Sequence, residues 1–324
     1  MARSKIPSPE ELRLLVKVSR FYYEDGVNQD TIKDRLGLSR SKVSRLMAQA
    51  RELGIVQISV VSPDTLHVDL ESRLEERFGL REALVVEALP GDGQDAVSRA
   101  VGQGAAAYLV RALEPRSTIG FAWGSTLRYM AGALTMQQFP GVQLVQIIGG
   151  LGQPEAEVHA TELCRSVSRS LGCRLTLLPV PGIVRDQHTR RALLSDIHVQ
   201  RAIEAIDRLD LAFVGIGAPT PDSVVMRDGS IISQAEMDAL LARGAVGDIA
   251  LRYFDAEGRP VASEIDDRII GISLEQLRHG PRVVAASGGP DKVPAIRAAL
   301  RGRLIDVLVT DSVTAARLLE SSDG

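Results

Sequence analysis

The stretch NQDTIKDRLGLSRSKVSRLMAQARELG, residues 28–54, decides the fold of the N-terminal part of the chain. It begins with Asn28, a residue type that caps helices, and continues into a short helical pattern over residues 29–36. Gly37 follows, and glycine permits a sharp turn because it has no Cβ. The stretch therefore predicts a first helix that ends at a glycine turn.

A second helix is predicted after the turn. Ser39 or Ser41 can cap its start, and it runs to about Leu53, with Gly54 ending it. Five apolar side chains are spaced so that the two helices bury a shared seam: Ile32, Leu36, Leu38, Val43 and Leu46. Two helices joined in this way are typical of a helix-turn-helix that reads the major groove of DNA.

The outward side of the second helix carries the candidate DNA-binding residues. Hydroxyl and basic side chains predominate there: Ser39, Arg40, Ser41, Lys42, Ser44 and Arg45. Such side chains bond phosphates and base edges in a major groove. The alternative, from the pattern alone, is an ordinary helical hairpin with a solvated basic face.

The flanking sequence favours the DNA-binding interpretation. Residues 11–24 have a helical period that would supply a supporting helix, and residues 55–60 alternate like the strand of a winged variant. Residues 1–60 contain 11 basic and 7 acidic side chains, a net charge of +4, whereas the whole chain has −3, so the remainder carries about −7. Because the N-terminal part is basic and the remainder is acidic, we expect the nucleic-acid-binding surface in the N-terminal part.

Length and composition set the broad class of protein. The 324 residues are enough for two domains, and a content of 45% hydrophobic and 24% charged residues is ordinary for a globular protein. We predict a DNA-binding domain over residues 1–62 and an effector-binding and oligomerisation domain over residues 63–324. The second domain would open with a linker helix over residues 65–78, which suits a partner surface and packing on its own domain equally well.

A cytoplasmic protein without membrane contact, metal or cofactor is expected. No stretch approaches about 18 consecutive apolar residues, and the N-terminus lacks an apolar signal core. Cys164 and Cys173 are interpreted as reduced packing residues, because no Cys/His metal spacing surrounds them. The motif G-x-x-x-x-G-K-[ST] is missing, and Thr220 takes the place of a third glycine after Gly215 and Gly217, so nucleotide binding is not indicated.

From about residue 81 onward, apolar runs alternate with helical patterns. The predicted strands are residues 83–87, 118–122, 142–148, 174–178, 211–216, 282–286 and 305–310. The predicted helices are residues 94–113, 125–138, 155–171, 188–207, 234–242, 290–300 and 312–319. Continuous apolar strands indicate burial on both faces, so we predict an α/β fold with a doubly wound, mostly parallel sheet. Ligands bind such sheets at the carboxyl ends of the strands.

Glycine-rich loops at two predicted strand ends are candidates for an anion site. They carry small and basic residues next to a helix start: Gly124, Ser125 and Thr126 in the first loop, and Gly288, Gly289 and Lys292 in the second. Backbone N–H groups at a helix start attract anions. Tight turns also need glycine, so several such loops together are better evidence for a phosphorylated ligand than any one alone.

The sequence contains few residue patterns that are typical of catalytic sites. Asp196 with His198, and His159 near Glu155 and Glu157, are conceivable acid–base groups, but both sets fall within helical stretches rich in charge. Neither the G-x-S-x-G elbow nor the H-E-x-x-H motif occurs. The sequence therefore does not predict an enzyme.

Several separated motifs carry a resemblance to a known family. They are LVKVSRFYYEDG (15–26), LSRSKVSRL (38–46), WGSTL (123–127), GAVGDI (244–249), DRIIGI (267–272), the pair Gly288-Gly289 with Lys292, and Thr310-Asp311. Over nearly its whole length the chain resembles the SorC family of bacterial transcriptional regulators. The resemblance implies a repressor or activator that responds to a phosphosugar, with an effector domain related in fold to sugar-phosphate isomerases and deaminases.

The resemblance also implies roles for individual residues. It assigns the phosphate to Gly124, Ser125, Thr126 and Lys292. It assigns the sugar hydroxyls to Asp248. Where the related deaminases have an Asp-x-His pair, this sequence has Gly217-Ala218-Pro219, so binding without turnover is expected.

We therefore predict a sequence-specific regulator of a sugar or polyol catabolic operon. Its expected partners are double-stranded operator DNA, a phosphorylated sugar or polyol, and further copies of the chain in a homodimer or homotetramer. The alternative is a sugar-phosphate isomerase or hydrolase that carries a DNA-binding head. The sequence leaves open the sugar, the operator and the sign of regulation.

Overall fold

The computed structural model describes most of the chain. The described ranges are residues 7–57, 66–150, 154–220 and 232–320, without the side chains of 154–159. The chain forms two compact units, Met1–Pro63 and Asp64–Gly324, which we call the head and the body. Within the described ranges, no helix is both long enough and apolar enough to cross a membrane.

The described part of the head contains three α-helices: α1 Pro9–Ser19, α2 Gln29–Leu36 and α3 Arg40–Glu52. Asn28 caps α2 by accepting the N–H of Thr31 at 2.8 Å. Gly37 ends α2 in the left-handed conformation, with φ of 64°. Ser39 caps α3 by accepting the N–H of Lys42 at 3.2 Å. The helix pair and the glycine turn predicted from the sequence are both present.

The three helices of the head enclose an apolar core of their own. Its buried members are Leu15, Val18, Ile32, Val43, Leu46, Met47 and Ala50. Leu36 and Leu38 pack against this core as partly buried residues, so the predicted seam between α2 and α3 is present. Because burial of one aliphatic side chain contributes about 1.5–3 kcal/mol, α1 holds α2 and α3 in a fixed arrangement.

The supporting helix predicted from residues 11–24 is present, but it is not α-helical throughout. The α-helix ends at Ser19, and Arg20–Glu24 forms a π-helical turn. The wider turn shifts the register, so that Phe21 packs on the core while Tyr22 and Tyr23 are exposed. This shift is why the apolar residues of the segment do not fit a single period.

Two predicted elements extend into residues that the structure does not describe. Residues 55–57 are not part of a strand, and the rest of the predicted wing strand lies outside the described ranges. The predicted linker helix begins later than expected, as α4 Val68–Phe78. It packs on its own unit: Leu74 is fully buried, and the Glu71 and Glu75 carboxylates accept backbone N–H groups of the first strand at 2.8 and 2.9 Å.

Nine strands occur in the described part of the body: β1 Glu82–Val86, β2 Thr118–Phe121, β3 Gln143–Gln146, β4 Arg174–Thr176, β5 Leu211–Val214, β6 Gly247–Ile249, β7 Arg252–Phe254, β8 Arg282–Ala286 and β9 Val307–Asp311. Seven of them form one parallel sheet in the order β1-β9-β8-β5-β2-β3-β4. Every residue of β5 and β9 is buried, because helices cover both faces. The predicted doubly wound α/β fold is confirmed.

The remaining helices of the described body are α5 Gln94–Ala112, α6 Ser125–Ala133, α7 Pro154–Leu171, α8 Gln187–Leu194, α9 Ile197–Ile206, α10 Gln234–Ala242, α11 Leu274–His279, α12 Val293–Arg301 and α13 Ser312–Leu319. The single helix predicted over residues 188–207 is wrong, because Asp196 caps α9 by accepting the N–H groups of His198 and Val199 at 2.8 and 3.2 Å. Helix α6 is shorter than predicted, and a 3₁₀ turn, Pro290–Lys292, precedes α12.

The order of the strands reverses beside β5. On one side of β2 the sheet continues to β3 and β4. On the other side it continues to β5, β8, β9 and β1. Such a reversal separates the loops at the carboxyl ends of the strands and opens a crevice there. The loops that follow β2, β5 and β8 therefore meet at the switch point of the sheet.

Candidate functional sites

Helix α3 presents all the predicted DNA-binding side chains to solvent. The exposed residues are Ser39, Arg40, Ser41, Lys42, Ser44 and Arg45. The opposite face of α3 supplies four buried residues to the core of the head, so the basic face cannot turn inward.

The local contacts of α3 separate its hydroxyl groups from its basic groups. The Ser39 hydroxyl caps the helix and lies 3.1 Å from that of Ser41. Arg45 Nε donates to the Ser41 carbonyl at 3.4 Å, and Arg40 Nε lies 3.8 Å from an Asp30 carboxylate oxygen. These contacts are long and exposed, so water or a phosphate replaces them at little loss of stability. The two arginines are therefore available to a DNA groove.

The loop after β2 leads into a helix whose first turn has no side-chain cap. Gly124 stands at the N-cap of α6 with φ of 146°, a conformation that side chains rarely adopt. Ser125 is exposed, whereas Thr126 is 4% exposed. Trp123 Nε1 donates to the Gly149 carbonyl at 2.9 Å and fixes the loop against the loop after β3. The N–H groups of the first turn of α6 lack intrahelical acceptors and so can hold an anion.

The loop after β8 is held by groups from three other elements, β9, α13 and α5. Gly289 N–H donates to Asp311 Oδ2 at 3.0 Å and to Thr314 Oγ1 at 2.8 Å. The Gly288 carbonyl accepts from Gln94 Nε2 at 3.0 Å. A Cβ on Gly288 would overlap the Asp311 carboxylate, and one on Gly289 would overlap the Gln94 amide. These glycines therefore shape the loop, and the Gly289 N–H already has protein acceptors.

Asp248 is positioned by a hairpin that was not predicted. Strands β6 and β7 are antiparallel, and they join through Ala250 and Leu251, both with positive φ. The Asp248 N–H and carbonyl pair with Gly217 of the loop after β5, at 3.1 and 2.9 Å. Its Oδ2 accepts the N–H of Leu251 at 3.1 Å. A Cβ on Gly217 would overlap the Asp248 carboxylate, so glycine is required for this close approach.

Asp248 and Lys292 form an electrostatic pair at the carboxyl edge of the sheet. Burial raises the pKa of Asp248 to about 6, and the charge of Lys292 opposes this shift. Burial likewise lowers the pKa of Lys292, against the opposing effect of Asp248. Burial thus disfavours the charged form of both side chains, and a ligand with complementary groups would stabilise those charged forms.

The loops around this pair belong to neighbouring strands. In the sheet, β5 lies between β2 and β8, and Ser287 Oγ donates to the Ile216 carbonyl at 3.3 Å, which ties two of the three loops together. The structure thus places the start of α6, Asp248 and Lys292 at one edge of the sheet. This edge combines N–H donors, the Lys292 ammonium and the Asp248 carboxylate, as expected for a ligand with an anionic group and hydroxyl groups.

Of the side chains considered for catalysis, those of Asp196 and His198 are described. Asp196 caps α9, and His198 on that helix is exposed. The side chain of His159 lies outside the described residues. Cys164 and Cys173 are free thiols, and burial raises the pKa of both, that of Cys164 to about 12. Such thiols are poor nucleophiles.

Sequence reasoning missed several residues that support the site. They are Gln94, Trp123, Tyr253 and Thr314. Gln94 and Thr314 contact the site loops from elements distant in sequence, and Tyr253 is placed beside Asp248 by a hairpin that no local pattern indicates. Trp123 belongs to the WGSTL motif, but its bond to Gly149 depends on the fold.

The combination of a helix-turn-helix head and a doubly wound α/β body is that of a DNA-binding regulator with a ligand-binding domain. A model described as a putative sugar-binding domain matches residues 62–320. The chain is 32% identical over 310 residues to the deoxyribonucleoside regulator of Bacillus subtilis (strain 168), covering 96% of this chain and 98% of that protein. It is 33% identical to the transcriptional regulator LsrR of Escherichia coli (strain K12), covering 95% and 94%.

A solved structure resembles the chain over both units. The crystal structure of the full-length sorbitol operon regulator SorC from Klebsiella pneumoniae has a TM-score of 0.72 and 33% identity, covering 97% of this chain and 100% of that one. The chain therefore belongs to the SorC family of transcriptional regulators with a sugar-binding domain.

Proposed function

We propose that this regulator binds operator DNA through α3 and a phosphorylated sugar or polyol at the carboxyl edge of its body. The observation that carries the proposal is that Asp248, Lys292 and the uncapped start of α6 belong to or pair with the loops at the carboxyl ends of three neighbouring strands, β5, β8 and β2. A phosphate has two negative charges for Lys292 and the N–H groups of Ser125 and Thr126. A carboxylate accepts hydrogen bonds from sugar hydroxyls, which is the role we assign to Asp248.

DNA binding is assigned to residues 1–62, with base contacts from Arg40, Lys42 and Arg45 and phosphate contacts from the serines of α3. One reading helix covers only one half-site, so we propose a homodimer or homotetramer on a pseudo-palindromic operator. Residues 63–324 would bind the effector and supply the contacts between subunits.

Binding without turnover is the expected chemistry of the body. A sugar-phosphate isomerase or hydrolase needs a paired acid and base beside the substrate. The place of such a pair in the related deaminases is occupied here by Gly217, Ala218 and Pro219. Incubation with sugar phosphates should therefore return them unchanged, and formation of a product would favour the enzyme alternative.

A thermal-shift panel tests the ligand class. The names of the relatives suggest D-sorbitol 6-phosphate and 2-deoxy-D-ribose 5-phosphate as members, each with its unphosphorylated form as the matched control. A ligand at about 100 times its Kd stabilises the folded protein by about 2.7 kcal/mol, which raises Tm measurably. At least one phosphate ester should raise Tm, and its unphosphorylated form should not. Stabilisation by the free sugars alone would contradict the phosphate assignment.

A further inference from the structure

Tyr253 lies directly opposite Asp248 in the β6–β7 hairpin. The backbone N–H and carbonyl of Asp248 both bond to Gly217 on its other side. The two residues therefore form a non-hydrogen-bonded antiparallel pair, the kind in which opposed side chains share a face and approach most closely. Tyr253 is 3% exposed, so its hydroxyl is enclosed beside the ligand-binding edge.

The two side chains have unused and complementary hydrogen-bonding capacity. Among the described residues, the Tyr253 hydroxyl has no hydrogen-bond partner. Within the same described ranges, the Asp248 carboxylate accepts one hydrogen bond, from the N–H of Leu251, although a carboxylate can accept about four. Burial and the charge of Asp248 both raise the pKa of Tyr253, so its hydroxyl remains a neutral donor. The hairpin therefore brings an unused donor and an acceptor with spare capacity to the same face.

We propose that Tyr253 is a positioning residue of the effector site. When a sugar hydroxyl binds Asp248, the Tyr253 hydroxyl donates a hydrogen bond to the Asp248 carboxylate and fixes the oxygen that accepts from the sugar. This inference rests on the proposed function, because it needs a hydroxylated ligand at Asp248. Tyr253 thereby sets how strictly the site distinguishes ligands that differ at that hydroxyl.

The arrangement makes the contribution of Tyr253 dependent on the ionisation of Asp248. The charge of Lys292, from the turn before α12, acts on the pKa of Asp248, and the charge of Asp248 acts on the pKa of Tyr253, from β7. A tyrosine hydroxyl donates strongly to a carboxylate and weakly to a protonated carboxyl group. The contribution of Tyr253 to effector affinity should therefore be complete at pH values well above the pKa of Asp248 and be lost at pH values below it.

The substitution Tyr253→Phe removes one oxygen atom and retains the ring. Tyr108→Phe is the matched control, because Tyr108 is also 3% exposed but lies on α5 against Phe213. Calorimetry would use D-sorbitol 6-phosphate, or whichever sugar phosphate of the panel stabilises the wild type most. At about pH 8 the Tyr253→Phe protein should bind it about tenfold more weakly, and at about pH 5 the difference should vanish. The control should bind as the wild type does at both values.

The unliganded proteins supply a second measurement. Since the Tyr253 hydroxyl lacks a partner there, Tyr253→Phe should have a Tm no lower than that of the wild type. A clearly lowered Tm, an unchanged affinity, or a loss of affinity equal at both pH values would overturn the positioning role. If the wild type binds no member of the panel, the proposed function fails together with this inference. Wild-type binding with an unaffected variant overturns the inference alone.

Discussion

The substitution Gly217→Ala tests the effector site without altering any group assigned to the ligand. The Cβ it adds would overlap Asp248 Oδ1 and lie 2.9 Å from Asp248 Cγ. The Asp248 carboxylate must therefore move, and the move breaks the bond of 3.1 Å between its Oδ2 and the N–H of Leu251. The Asp248 carboxylate would then no longer face a bound sugar hydroxyl in the position that the hairpin gives it.

The size of the effect follows from the displaced contacts. A hydrogen bond to a charged group contributes about 1.5–3 kcal/mol. Overpacking of this kind also lowers folding stability by about 1–3 kcal/mol, a cost that is measured by Tm and does not enter the binding equilibrium. Since about 1.4 kcal/mol corresponds to a factor of ten, effector affinity should fall between about tenfold and a hundredfold. DNA binding without effector should stay within twofold or so, because the head and the body are separate compact units.

Gly215→Ala is the matched control, since a Cβ at Gly215 meets no atom within 4 Å. Calorimetric titration with the strongest sugar phosphate, and fluorescence anisotropy with operator DNA, would be run on both variants. Gly217→Ala should lose effector affinity while Gly215→Ala keeps it. Equal effector affinities in the two variants would refute the placement of Asp248 in the effector site.

Two further predictions concern the DNA-reading helix and pH. Arg40→Ala or Arg45→Ala should reduce the preference for operator over random DNA by about 1–3 kcal/mol with Tm unchanged, and wild-type ratios in anisotropy titrations would show that α3 does not read the bases. Burial raises the pKa of Asp248 from 3.8 to about 6 and so favours its protonated form in the folded protein. The free energy of unfolding of the free protein should therefore decrease as pH rises from about 3.8 to about 6. Effector affinity should change in the opposite direction and rise through about pH 6, because the ionised carboxylate accepts the sugar hydroxyl. Asp248→Asn should abolish the pH dependence of stability and weaken that of effector affinity to what the phosphate itself contributes, since its second pKa is also about 6. An unchanged pH dependence of both quantities in this variant would assign them to another group.

The sheet could be predicted because its strands have a strong local signal. All seven predicted strands are present within about two residues of their expected bounds, since continuous apolar runs mark strands that are buried on both faces. The β6–β7 hairpin was missed because its strands have three residues each and its turn uses Ala250 and Leu251 instead of glycine or asparagine. The break before α9 was missed because Asp196 was interpreted as part of a helix rather than as its cap.

The candidate site was predictable only where a motif stands next to it in sequence. The start of α6 and Lys292 follow their strands directly, so the local pattern indicates an anion site. Asp248 was assigned to the site only through the family resemblance, because no local pattern shows that its hairpin pairs with Gly217. The Gly289 N–H donates to Asp311 and Thr314 because β8 and β9 are paired in the sheet, and no local pattern predicts this pairing.

The central claim is that a sugar phosphate bound at Lys292 and Asp248 controls binding to DNA. The most direct measurement is operator affinity, titrated with a sugar phosphate and with the same sugar without phosphate, for the wild type and for Lys292→Met. The account predicts that only the phosphorylated form changes the wild-type affinity, by about 1–3 kcal/mol, and that Lys292→Met binds operator normally but does not respond. Equal responses to both forms, or a full response in Lys292→Met, would contradict it.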